Sequence, residues 1–361
     1  MLVLLLGCLS KQEYCLSLNS PIMEDSLLGV VSVPNQQCRQ KLFLKPLLVI
    51  LLLSSLIACD QGKKEASPLI VGVVNSNPGH LPIVEAFKTR FQAISDKDNQ
   101  PIIWLEHSEA GMEQIDFVLD SMAAQHVDLI FSTGSHLTKK VTTRFEQTDV
   151  SVVFAPSFDP VRLGVVDRLH HGDKRVTGVK VGGSSAKALE YLLMAQPTIK
   201  KILVPHSGLS RVETYSLADL KVAARKLSVQ LVILPVDNES GLKSALENIA
   251  DDVDALWLLH SKYLVPQVDT YVAAAIKNSL PLASGTGQGA NGVMISYGRN
   301  AQKVGYQAAR LADQVSHGVL PQDLPIEVAD FFLSINLKVA AKAGVEIPSV
   351  LLHQADNVYI E

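Results

Sequence analysis

From residue 68 onward the apolar positions fall into two alternating patterns. Short β-branched or aliphatic runs at 69–74, 102–105, 127–131 and 151–154 have strand length and lie beside turn or capping residues. Between them, residues 83–94, 111–125 and 137–145 carry apolar positions at helical spacing. The rhythm then restarts, with strands predicted at 201–205, 230–234, 255–259 and 280–283 and helices at 211–227, 240–249 and 265–278. Such βαβα alternation predicts an α/β protein whose parallel sheets are covered by helices on both faces, here two doubly wound units of about 110 residues each. Val176-Thr177-Gly178-Val179 reads as an extended segment crossing from the first unit to the second. After Gly292 come a further strand (293–297), a long helix (301–317), a Pro-bearing connector (320–325), another apolar run (331–335) and a short helix (337–343). These are too few for a third domain and must return to complete the first two. In open α/β sheets ligands bind outside the carboxyl ends of the strands, so two such lobes facing each other form a trap for a small solute.

Composition narrows the partners. The 361 residues are 47% apolar and 19% charged, with a formal net charge of −4. That leaves no surplus of positive charge for a phosphate backbone, and nucleic acid is not an expected partner. The four cysteines are Cys8, Cys15, Cys38 and Cys59, and none follows. The body therefore has no disulfide framework, no thiolate metal site and no cysteine nucleophile.

The amino-terminal region reads as an address. A basic flank (Arg39, Lys41, Lys45) precedes an uncharged apolar stretch from Pro46 to Ala58, too short for a bilayer core and suited to a secretory signal. Leu56-Ile57-Ala58-Cys59 resembles the lipobox of bacterial lipoproteins, in which cleavage leaves Cys59 as a lipidated first residue. Asp60 resembles the signal for retention in the inner membrane, and residues 59–67 would serve as a polar tether. Two or three acyl chains make such anchoring durable. The leader is 1–58, of which 1–38 reads as an over-extended start with Met23 as an internal candidate. Without 1–58 the chain carries 28 Lys+Arg against 33 Asp+Glu.

The C-terminal stretch carries a specific resemblance. Gly305-Tyr-Gln-Ala-Ala-Arg-Leu-Ala-Asp313, Pro321-Gln-Asp-Leu-Pro325, Leu333-Ser-Ile-Asn-Leu-Lys-Val-Ala-Ala341, Gly344-Val-Glu-Ile-Pro348 and Leu351-Leu-His-Gln-Ala-Asp356 resemble the tail of the ABC-transporter substrate-binding family that includes tryptophan- and tyrosine-type binding proteins. Asp128-Leu-Ile-Phe-Ser-Thr-Gly134, Val152-Val-Phe-Ala155, Asp159-Pro160-Val161-Arg-Leu-Gly164 and Arg175-Val-Thr-Gly-Val179 resemble its first-lobe motifs in order and spacing. The resemblance implies a type 1 periplasmic-binding-protein fold, two lobes joined by a three-segment hinge that closes over one solute. It places 68–177 with 291–322 in lobe one and 178–290 with 323–361 in lobe two. It also implies delivery of the solute to an ABC permease and its ATPase; the alternative is a sensing module reporting to a membrane receptor or kinase.

Candidate ligand groups sit at strand ends. Ser132-Thr133-Gly134-Ser135 closes a strand and opens a helix, where hydroxyls and backbone N–H groups suit a carboxylate or other anion, or simply cap the helix. Asn75-Ser76-Asn77 ends the first strand. In Pro156-Ser157-Phe158-Asp159, Phe158 suits stacking on a ring, while Asp159 either pairs with an ammonium or closes a turn. On lobe two the strand ends are Pro205-His206-Ser207, His260-Ser261-Lys262 and Ser284-Gly285-Thr286-Gly287. Amino-acid-binding members of the family tend to place acidic residues in the last two loops, whereas this chain has His260, Lys262 and Thr286. A buried ammonium without a carboxylate partner costs several kcal/mol, so these groups favour a neutral or anionic solute over an α-amino acid.

Other signals are weaker. Gly285-Thr-Gly-Gln-Gly289 mimics a dinucleotide loop but is followed by a strand, so no cofactor is expected. His170-His171 lack metal-ligand spacing and read as surface histidines. No Gly-x-Ser-x-Gly elbow marks a nucleophile, and no catalysis is expected. Trp104 and Trp257 lie in apolar strand runs and are assigned to the core.

Overall fold

A computed structural model describes residues 67–108, 112–170 and 175–360. The leader, Cys59 and the tether up to residue 66 lie outside the described residues, as does His171. The strands are β1 (Leu69–Val74), β2 (Ile102–His107), β3 (Leu129–Ser132), β4 (Ser151–Ser157), β5 (Val176–Lys180), β6 (Lys201–His206) and β7 (Gln230–Pro235). They continue with β8 (Ala255–Leu258), β9 (Leu282–Ser284), β10 (Ile295–Arg299), β11 (Glu327–Val328), β12 (Phe331–Asn336) and β13 (Asn357–Tyr359). The helices are α1 (Leu81–Lys97), α2 (Ile115–Ala124), α3 (Ser135–Arg144), α4 (Ser185–Ala195) and α5 (Arg211–Lys226). After them come α6 (Glu239–Glu247), α7 (Val268–Lys277), α8 (Ala301–Ser316), α9 (Leu337–Ala343) and α10 (Ser349–Leu352).

Two sheets result. The first has the order β11-β5-β4-β3-β1-β2 and is parallel throughout. The second has the order β13-β12-β10-β9-β8-β6-β7, in which only β12 and its neighbour β13 oppose the rest. Helices on both faces explain why β3 and β4 are apolar and buried along their whole length, while the edge strand β2 keeps solvent-exposed positions. On one face of the first sheet α1 and α8 bury Ile83, Phe87, Phe91, Val304 and Leu311; on the other, α2 and α3 bury Leu119, Met122, Leu137 and Val141. Phe87 stacks on Phe131 with ring centroids 3.8 Å apart. Each such buried aromatic ring stabilises by about 2–3 kcal/mol. Trp257 and Tyr271 are fully buried in the core of the second lobe. Trp104 packs edge-on against Phe87 and Phe91, its indole N–H donating to Gln92, but it is only partly buried on the edge strand, so Trp257 is a core residue and Trp104 borders the core.

The crossings fall later than the sequence predicts. Val176–Lys180 is a full strand of the first sheet, paired with β4, and the chain leaves that lobe only after Lys180. β10 belongs to the second sheet, between β9 and β12, so residues 295–299 are not part of lobe one. β11 pairs with β5 and so places 327–328 in the first lobe, not the second. Each strand's apolar pattern identifies it as a strand but does not say which sheet it joins. Val181 and Gly182 still bond the carbonyls of Ser157 and Phe158, and Ala329 that of Lys180, so the three crossings lie at 183–184, at Asn300 and at Asp330. Asn300 accepts from the Lys303 N–H, so the second crossing ends directly in the N-cap of α8. Four elements lie outside the predicted set. β11, β13 and α10 are shorter than the period that would reveal them, and α4 starts directly after the Gly182-Gly183 loop.

Candidate functional site

The carboxyl ends of the parallel strands carry the polar groups. On lobe one, Asn75 is buried after β1, and its side-chain oxygen accepts from the Thr133 hydroxyl at 2.5 Å. Ser135, the first residue of α3, shares a hydroxyl hydrogen bond of 2.7 Å with Ser157 at the end of β4. Gly134 between them has φ +74°, a left-handed conformation that glycine accepts without strain. A Cβ there would stand 3.3 Å from His80 Cε1, so the imidazole lies over the amino terminus of α3. Ser76 is half-buried beside this cluster. The structure thus brings Asn75, Thr133, Gly134, Ser135 and Ser157 together.

The lobes meet at the loop after β4. Phe158 is buried and sets its ring edge-on to His260 of the second lobe, with centroids 5.2 Å apart. Four residues on, Arg162 Nη1 reaches Asp219 on α5 at 2.9 Å, and the Tyr215 hydroxyl donates to the Arg162 carbonyl at 3.4 Å. Asp219 raises the Arg162 guanidinium above its ordinary value. Asp159 is already engaged. Its carboxylate accepts from the Arg162 N–H at 3.1 Å and lies 3.6 Å and 3.7 Å from the side chains of Arg162 and Lys180. This is the turn-closing arrangement, not a carboxylate left free for a ligand ammonium.

On lobe two the remaining candidates divide. Thr286 is buried and bonds the Ser284 hydroxyl at 2.8 Å, within the loop that packs on β10. A Cβ on Gly298 would fall 2.2 Å from the Thr286 carbonyl carbon, so only glycine lets β10 pass so close. His206 faces Glu213, with Nε2 3.9 Å from the carboxylate and no hydrogen-bond partner among the described residues. Glu213 is a fully buried residue that the sequence reading passed over. It accepts from the Ser207 N–H and hydroxyl at 2.6 and 2.5 Å and from the Ser261 hydroxyl at 2.7 Å, tying two strand-end loops together. The signal was present in Ser210-x-x-Glu213, a capping-box pattern in which Ser210 does cap α5.

Two further groups escaped the sequence reading, His80 and Arg299. Arg299 ends β10 after Gly298, half-buried, and its guanidinium makes no hydrogen bond or ion pair among the described residues. Burial lowers it to about 10. Burial, then the charge of Arg299, holds both His80 and His260 down to about 3, so both rings are neutral at physiological pH. The Asn77 amide nitrogen, fixed because its oxygen accepts from the Gly79 N–H, lies 3.3 Å from His80 Nε2. Nε2 is therefore the acceptor and Nδ1 carries the proton. That Nδ1–H is buried without a partner among the described residues.

Two open α/β lobes, a triple crossing and strand-end loops that touch between the lobes define the two-lobed fold of the type 1 periplasmic-binding-protein class. The chain belongs to the ABC transporter substrate binding protein family, which matches residues 69–359. It is 24% identical over 261 residues to the tyrosine-binding protein of Clostridioides difficile (strain R20291), a match covering 70% of this chain and 74% of that one. The ABC domain in complex with L-Trp from Streptococcus pneumonia has the same fold, with a TM-score of 0.70 at 20% identity over 81% of this chain and 100% of that one. A conserved domain protein from Vibrio cholerae O1 biovar El Tor str. N16961 is similar to the same degree, with a TM-score of 0.70 at 20% identity over 82% of this chain and 100% of that one. Among the described residues no helix is long and apolar enough to cross a membrane.

Proposed function

We propose that the protein is the solute-binding component of an ABC importer, held by a lipid on Cys59 at the periplasmic face of the inner membrane and without catalysis of its own. Asn75, Ser76, Thr133, Gly134, Ser135, Ser157 and Phe158 would contact the solute from lobe one, and His206, His260 and Thr286 from lobe two. The observation that carries the reading is the contact between Phe158 and His260, which joins strand-end loops of both lobes. A solute held between those loops touches both lobes only when they are closed, so its binding energy shifts the hinge toward the closed form that a permease reads. Family membership supports transport, and the ligands of the relatives make tyrosine and tryptophan the first molecules to try.

The test is a thermal-shift screen of the full chain in detergent against amino acids, purines, sugars, organic acids and oxyanions. A ligand at a hundred times its Kd stabilises by about 2.7 kcal/mol, which is a shift of several degrees. If no small molecule shifts the melting temperature, the solute-trap reading fails. Mass spectrometry of the mature protein is expected to find an acylated Cys59 at the amino terminus; an intact Met1 without lipid would remove the anchor.

A further inference from the structure

Among the strand-end groups just described, one charge is left unanswered. At the lobe contact Arg162 has Asp159 and Asp219 as acidic partners and Lys180 has Asp159, while Arg211 donates to the Arg162 carbonyl and the Tyr215 hydroxyl. Arg299 has none among the described residues, although it is half-buried, and burying an unpaired guanidinium is unfavourable. Its position is held firmly. The β10 backbone pairs with Phe331, and the Arg299 carbonyl would stand 2.3 Å from a Cβ on Gly287, so the loop at 284–287 locks the strand end where the chain enters the hinge. The charge of Arg299 helps to lower two imidazoles, His80 of lobe one and His260 of lobe two. His80 adds a second unanswered donor, the buried Nδ1–H over the amino terminus of α3, itself a partial positive charge.

We propose that Arg299 is the anion subsite of this cleft and that the solute carries a carboxylate or an oxyanion that pairs with its guanidinium and receives the His80 Nδ1–H. The inference rests on the solute-trap reading and adds the chemical class. Guanidinium geometry matches a two-oxygen anion through parallel N–H donors, which a lysine at this point would not reproduce. The carboxylates that would answer an ammonium are engaged elsewhere, Asp159 with Arg162 and Lys180, and Glu213 with Ser207 and Ser261. Closure would bring His260 of lobe two and His80 of lobe one to the same anion, so the charged group itself bridges the lobes.

The test uses matched probes on the full chain: 3-(4-hydroxyphenyl)propionate, tyramine, tyrosine, inorganic phosphate, sulfate and myo-inositol, each titrated calorimetrically. The propionate isolates the carboxylate, tyramine isolates the ammonium, and phosphate and sulfate separate an oxyanion from a carboxylate site. At least one anion is expected to bind, Arg299→Met to weaken it by about ten- to a hundred-fold, and Arg299→Lys to recover part of that loss. Arg299→Met is also expected to melt no lower than the unaltered protein, which separates lost binding from lost folding. If tyramine or inositol binds and Arg299→Met leaves that affinity unchanged, the anion subsite is wrong while the solute trap stands. If no probe binds and the wider screen finds only neutral or cationic solutes, the anion subsite falls and the solute trap stands; if that screen is empty too, both fall.

Discussion

Replacing Arg299 by Met tests whether a half-buried charge has been kept in this fold for a reason other than stability. The guanidinium is lowered from 12.5 to about 10 by burial alone. At about 1.4 kcal/mol per pH unit that corresponds to roughly 3 kcal/mol of disfavoured charge, which partial solvent access reduces to about 1–2 kcal/mol. Methionine fills similar length without charge and breaks no hydrogen bond, because the guanidinium makes none among the described residues. The ligand-free variant is therefore expected to melt higher, by about 2–6 °C, in differential scanning calorimetry at pH 7 in a buffer free of phosphate, sulfate and carboxylates. His80 and His260 lose one of the charges that lowers them, so their titration followed by NMR is expected to move up toward 6.5. A melting temperature several degrees below that of the unaltered protein would refute the reasoning, because it would make Arg299 a structural partner instead of a group waiting for an anion.

Three other perturbations follow from the same geometry. Glu213→Ala leaves the Ser207 N–H and the Ser207 and Ser261 hydroxyls without their acceptor, and urea unfolding is expected to show a loss of about 3–5 kcal/mol; under 1 kcal/mol would mean the loops do not depend on it. Arg162→Ala removes the bridge to Asp219 across the lobe contact, and since exposed pairs contribute about 0.4–1 kcal/mol, the Kd of a bound solute is expected to rise two- to five-fold through faster release; an unchanged dissociation rate would separate the bridge from closure. Acid should weaken the ligand-free fold. His80 and His260 titrate near 3 when folded and near 6.5 when unfolded, so below pH 6.5 the unfolded chain binds protons that the folded chain refuses. Stability then falls by up to about 1.4 kcal/mol per pH unit for each ring, and a His80→Gln, His260→Gln double variant is expected to lose clearly less between pH 7 and 5. His317, raised by its Asp313 and Asp98 partners, acts in the opposite direction and is common to both proteins. An equal loss in both would show that these rings are protonated in the folded state.

The alternation of apolar runs and amphipathic stretches was readable because a buried parallel strand and a two-faced helix each impose a period on the chain. That is why β1 begins and ends where the apolar run does, and why α8 and α9 lie where their patterns predict. The candidate cluster on lobe one was legible for a related reason, since strand-to-helix turns must place small polar residues such as Ser135 and Thr133 at the carboxyl edge. Asp159 shows the limit. Its residue type fits a ligand ammonium, but Arg162 and Lys180, one local and one brought by β5, decide that it is neutralised from within.

Sequence by itself determined the classes of element and the two-lobed plan, because periodicity and turn chemistry are local properties. It did not determine which sheet claims β5, β10 and β11, since pairing depends on contacts between segments as distant as Val179 and Glu327. The electrostatic character of the cleft is likewise tertiary. Arg299, His80 and His260 lie far apart along the chain, and an arginine after an apolar strand reads as a surface residue. Only the folding of both lobes around it makes that charge half-buried and unpaired, because desolvation and the lack of a counter-charge arise from what the rest of the chain places nearby.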